Sequence, residues 1–260
     1  MKNISKEVLI VISSLLILIM LSWYYLYSMS LEMGSTGMSS ITMKKSFEIF
    51  RMPMISEWSL NDFIVMILMW IIMMFAMMMP STFIFLNVYH MMRSNMKSVR
   101  YPKFELFLLS FAYVIIWVIF SIFACTLQYY LHNQGLVDMM GMFQNKLLGG
   151  TTLILAGVFQ FSSLKNACLD KCRNPLSFIM GKNIRGFGDI LSMGFMHGIY
   201  CLVCCWALML LLFVNGAMNL LWIVILTIAV LAEKILPFEQ LISRFFGVVL
   251  VGWGAYLTII

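Results

Sequence analysis

Residues 193–208 read Met-Gly-Phe-Met-His-Gly-Ile-Tyr-Cys-Leu-Val-Cys-Cys-Trp-Ala-Leu. The stretch is apolar enough to lie in a bilayer, yet it carries His197, Cys201, Cys204 and Cys205. On a helix, residues three and four apart share a face. His197, Cys201 and Cys205 fall at i, i+4 and i+8, Cys204 sits beside them at i+7, and Met193 extends the row by one turn. One helix face therefore gathers an imidazole, three thiols and a thioether. Ionisable side chains inside an apolar span point to a functional site, and this donor set points to a soft metal ion, copper(I) ahead of zinc.

The whole chain has the same apolar character. Of its 260 residues 62% are hydrophobic and 11% charged, with a mean hydropathy of +0.96. A soluble domain is about half apolar and about a quarter charged. The expected fold is therefore all-α, a polytopic membrane helix bundle whose first partner is the lipid bilayer of the plasma membrane. A net charge of +6 in such a chain reflects where the loops lie, and nucleic-acid binding is not expected.

A spanning helix needs about 20 apolar residues. Seven runs qualify: 8–27, read as an uncleaved span; 60–79, ending at Pro80; 104–131; 147–163, diluted by Gly149, Gly150 and Gly157; 190–213; 217–236; and 240–260. Residues 1–59 thus form a first span and a loop holding Met29, Met33, Met38, Met43, Met52 and Met54, while 60–260 form a six-helix core. Pro80 is expected to kink or end its helix, with 81–92 as an interfacial continuation, and 165–189 reads as a polar loop. Placing the N-terminus in the cytoplasm puts thirteen of the 17 basic residues inside and leaves Lys44, Lys45, Arg51 and Lys146 outside. With seven spans, the positive-inside rule then sets the C-terminus outside.

Copper(I) favours thiolate, thioether and imidazole, whereas calcium and magnesium need oxygen. A Cys3His zinc site is chemically possible, but three thiolates around one divalent ion leave negative charge in hydrocarbon. Cys168 and Cys172 stand at i, i+4 if the 165–189 loop opens as a helix, and Lys165, Lys171 and Arg173 surround them. Cations favour thiolate, which suits a metal entry or handoff point; two plain surface thiols are the alternative. Met77 and Met78 are auxiliary candidates among 26 methionines, most of which read as apolar filler. Glu233-Lys234 reads as an interfacial charged pair with Lys234 snorkelling, or with Glu233 turned inward toward His197. Gly194 and Gly198 allow a neighbouring helix to approach closely.

Several of these motifs occur together in one family. Ala76 to Pro80, Leu164 to Cys168, Cys172 to Leu176, Gly194 to Trp206, Met218-Asn219-Leu220 and Glu233-Lys234 resemble a bacterial and archaeal family described as metal-binding integral membrane proteins of unknown function. The resemblance covers roughly residues 60–255 and implies a metal site at His197, Cys201, Cys204, Cys205, Cys168 and Cys172. It implies no activity.

Three functions compete on these grounds. One is copper(I) handling: transport, delivery to a soluble metal-binding partner, or an accessory role beside a membrane copper enzyme. Another is a membrane thiol oxidoreductase that uses Cys201 and Cys204 as a C-x-x-C pair. The third is a structural subunit of a larger membrane complex.

Overall fold

The computed structural model describes residues 6–35, 59–94, 102–138, 140–181, 184, 186–236 and 238–259. They form ten helices: α1 Lys6–Ser35, α2 Leu60–Ser94, α3 Pro102–Asn133, α4 Lys146–Phe159, α5 Ser163–Arg173, α6 Pro175–Met180, α7 Phe187–Leu210, α8 Leu212–Asn215, α9 Leu220–Ile235 and α10 Glu239–Ile259. The expected all-α bundle holds for these residues.

Local chemistry sets where the short helices begin. Asn145, Ser162 and Asn219 cap α4, α5 and α9, their side-chain oxygens accepting from the backbone N–H of Leu147, Lys165 and Trp222. These bonds satisfy amides that a helix start leaves orphaned. Asn174 separates α5 from α6, and Pro175 at the start of α6 supplies a ring that suits a first helical turn.

Five helical segments are long and apolar enough to cross a membrane: Ser13–Leu31, Leu60–Arg93, Phe104–Asn133, Phe187–Asn215 and Gln240–Ile259. α4 and α5 pass the same test together, but the chain bends by 66° between them. Among the described residues the count is five, or six with the bent pair, against the seven runs expected. The difference lies in α9, whose 16 residues span about 24 Å at 1.5 Å each, short of a hydrocarbon core of about 30 Å. Leu236, just before Pro237, is already extended, as a residue preceding proline prefers. Five spans keep the two termini on opposite sides, as expected, whereas six would put them on the same side.

Of the two outcomes expected at Pro80, a kink or an end, the helix does not end there: α2 continues to Ser94. Hydroxyls gather beside it: Ser81 Oγ donates to the Met78 carbonyl at 2.8 Å and the Tyr113 hydroxyl to the same carbonyl at 3.3 Å. The 165–189 segment is not simply a polar loop, because it contains α5 and α6 and buries Lys165, Cys168 and Leu169.

Glycines decide which helices touch. A Cβ on Gly150 would lie 2.8 Å from the Gly254 carbonyl oxygen, and one on Gly157 2.9 Å from that of Gly247. Two of the glycines that diluted the fourth span, Gly150 and Gly157, are thus on the face it presents to α10. Gly194 does the same for α7 against α3, where a Cβ would meet the Leu109 carbonyl oxygen and Ala112 Cβ at 2.7 Å. Close backbone approach through small residues is how apolar helices pack when no water is expelled. The 28–59 loop begins later than expected, since α1 runs to Ser35 and carries Met29. Met38, Met43, Met52 and Met54 lie outside the described residues.

Candidate metal centre

α7 places Met193, His197, Cys201, Cys204 and Cys205 in the interior, all at least nine-tenths buried. The helix holds two of the thiols against its own backbone. Cys204 Sγ and Cys205 Sγ donate to the Cys201 carbonyl oxygen at 3.1 and 2.9 Å.

A second helix brings a thiol to this face. α5 packs Cys172 against the buried cluster that holds Cys201 and Cys204, within their electrostatic reach, while Cys168, one turn earlier and buried, lies within electrostatic range of Cys204. The two segments are held together by packing of α5 on α7. All six cysteines are free thiols.

Three more helices complete the surroundings of Cys201. From α9, Lys234 Nζ donates to Cys201 Sγ at 2.8 Å and to Ser81 Oγ of α2 at 3.2 Å. From α3, the Tyr113 hydroxyl lies 3.1 Å from Cys201 Sγ. A cavity of about 20 Å³ opens beside them, lined by Ser81, Ile84, Cys172, Arg173, His197 and Lys234. Its volume matches about one water molecule or one ion.

His197 forms one wall of that cavity. Its ring stacks on Phe85 with centroids 3.8 Å apart and planes 9° from parallel, a contact worth about 1 kcal/mol beyond area burial. The stack fixes the ring plane and leaves the buried Nδ1 without a hydrogen-bond partner. A buried polar atom with no partner is costly, so this nitrogen is available to a metal ion.

The remaining candidates divide. Met77 and Met78 are fully buried in the same apolar core as Cys201, Cys204 and Cys205. Met193 packs in a separate cluster with Phe85, Leu106 and Leu109. Glu233 does not turn toward His197. It forms a buried ion pair with Lys165, whose Nζ donates to both Glu233 oxygens at 2.7 Å, and Glu233 Oε1 also accepts from Ser243 at 3.3 Å. Lys234 does not simply snorkel to an interface, because its ammonium ends on Cys201.

Tyr113 and Ser81 are the polar residues that sequence reasoning missed, while Lys165 and Lys234 were singled out without the partners the structure gives them. Lys165 had a readable signal: it stands at i−3 from Cys168 and i−7 from Cys172, on the same helix face. Lys234 and Tyr113 had none, since their partners lie on other helices. Among the described residues, no group of three or more His, Cys, Asp or Glu side chains already holds its donors in coordinating geometry. The thiols are instead engaged with a carbonyl, a phenol and an ammonium.

Comparison with known families adds the last observation. The profile of PpoB2, described as a copper chaperone family, matches residues 67–257, which include every helix that borders this centre. The chain belongs to the copper chaperone family. Membership agrees with the metal-related family expected from the sequence motifs and adds copper to it. No curated protein and no solved structure matches the chain.

Proposed function

We propose that this protein is an integral membrane copper(I) carrier that holds the ion at Cys172, Cys201 and Cys204 and passes it to a partner. The observation that carries this reading is the meeting of Cys172, from α5, with Cys201 and Cys204 of α7. A thiol set drawn from two helices can close on an ion and open again when one helix shifts. Thiolates select copper(I) among biological cations, and the copper chaperone family match supports that choice.

Charge supports the monovalent ion over zinc. With two of the three cysteines as thiolates and the third as a neutral thiol, copper(I) leaves one net negative charge, which the Lys234 ammonium beside Cys201 neutralises. Divalent zinc with three thiolates and a neutral imidazole reaches the same net charge only by recruiting a third thiolate, which must also be deprotonated in an apolar core. His197 stands at the cavity wall as a nitrogen donor, and Cys205 and Cys168 are neighbouring thiols onto which the ion can move. Binding requires the Cys204 thiol to leave the Cys201 carbonyl, a rotation about one side-chain bond.

In this reading the long apolar helices lie in the plasma membrane, with the N-terminus cytoplasmic, and α5 forms the end at which a soluble metal-binding partner or a larger membrane complex docks. The test is metal analysis of the purified protein with X-ray absorption at the copper edge, set against a C172A/C201A/C204A variant. Loss from the variant of the copper held by thiolate sulfur is the expected result. Equal copper in both proteins would sink the assignment.

A further inference from the structure

A second set of sulfur atoms converges away from the thiols. Met29 of α1, Met69 and Met73 of α2, and Met218 in the turn before α9 line one cavity of about 10 Å³. The other side chains around it are aliphatic. All four methionines are buried, with 8%, 2%, 0% and 6% of their surface exposed. They come from three separate parts of the chain.

Packing alone does not favour this choice. Methionine loses more rotamer freedom on burial than leucine or isoleucine, and a core built for stability uses it sparingly. Four at one cavity, with no other heteroatom on the lining side chains, form a thioether-only donor set. Soft thioethers bind copper(I) and reject hard cations. The cavity has room for about one water-sized occupant.

The sequence of α2 ties this cavity to the thiols. Met69, Met73 and Met77 stand at i, i+4 and i+8, on one helix face, and span about 12 Å along the axis. Met78 follows, its carbonyl bonded to the Tyr113 hydroxyl that also touches Cys201 Sγ. The row of buried thioethers therefore leads from the cavity toward the candidate metal centre.

We infer that Met29, Met69, Met73 and Met218 form a second copper(I) site, made only of thioethers, at the other end of a sulfur-lined path from Cys201. This inference rests on the copper(I) reading above, and the experiment separates the two. Full-length protein labelled with selenomethionine is loaded with copper(I) in detergent, and copper-edge X-ray absorption is recorded for the wild type and for C172A/C201A/C204A. Removing the thiols is expected to leave copper with selenium neighbours. Introducing M29L/M69L/M73L/M218L into the thiol-free variant is expected to abolish both that copper and its selenium signal. Leucine keeps the cavity apolar and filled, and the unfolding midpoint confirms the fold.

No copper–selenium scattering in the labelled thiol-free protein would overturn the second site while leaving the thiol centre untouched. Selenium scattering that survives the four leucines would equally overturn it. Copper retained in full without the thiols would instead refute the thiol centre, and the selenium signal would still decide the thioether site.

Discussion

The Lys165–Glu233 pair offers the sharpest test of how the thiols are assembled. Lys165 sits in the first turn of α5, with its side chain fully inaccessible, and Glu233 on α9 is 2% exposed. An ammonium has three donors, and all three are used: two on the Glu233 oxygens and one on Gln160 Oε1. Lys165→Met removes all three bonds and leaves Glu233 with Ser243 alone. Breaking a buried ion pair by deleting one partner costs about 3–5 kcal/mol. In a domain of this size that corresponds to a fall in melting temperature of roughly 6–20 °C. Replacing both partners by apolar residues is close to neutral in many proteins, so K165M/E233L is expected to recover most of the loss.

The functional consequence follows from the same helix. Cys168 and Cys172 share a face with Lys165, so loosening the first turn of α5 frees Cys172 from Cys201 and Cys204. Thermal unfolding in detergent, followed by circular dichroism, measures the first effect, and copper(I) retention against a competing chelator measures the second. We expect K165M to lower both, and the double variant to regain stability. Single substitutions that each change the midpoint by less than the equivalent of about 1 kcal/mol, with additive effects in the double variant, would show that the pair is solvated and clamps nothing.

Other perturbations probe separate parts of the bundle. Lys234→Met removes the charge beside Cys201 and is expected to weaken copper(I) affinity about 10–100-fold, as changes to groups supporting a metal ligand do, in a chelator competition; Lys234→Arg should retain part of it. Gly150→Val drives a branched side chain into the Gly254 carbonyl and should cost about 1–3 kcal/mol in the unfolding midpoint, with Gly194→Val doing likewise at α3. Trp70→Phe loses the 2.8 Å bond from Nε1 to Gln128; a loss of about 1–3 kcal/mol is expected by the same measurement, with copper content unchanged. His197→Phe preserves the stack on Phe85 but removes the nitrogens, so stability should stay within about 1 kcal/mol while the nitrogen contribution to copper-edge absorption disappears.

The helical class and the interior face of α7 were legible in the sequence because both depend on local quantities. Apolar run length decides whether a helix can span a bilayer, and the 3.6-residue period places His197, Cys201, Cys204 and Cys205 on one side. The glycines of the fourth span misled, since hydropathy counts them as weak spanning residues while packing uses them as contact surface. Where these helices stop and bend also escaped sequence reading: a run of apolar residues does not reveal that α9 stops after 16 residues or that α4 turns by 66° into α5.

What the sequence by itself determined is the inventory: six thiols, a buried histidine, abundant thioethers, and helices able to carry them through an apolar medium. Tertiary structure alone decided the pairings. Lys234 with Cys201, Lys165 with Glu233, and Cys172 with Cys201 and Cys204 join residues 29 to 68 positions apart. The physical reason is that charge and thiol partners in an apolar core are chosen by which helix faces meet, and those faces are set by glycine contacts and helix bends that no local periodicity encodes.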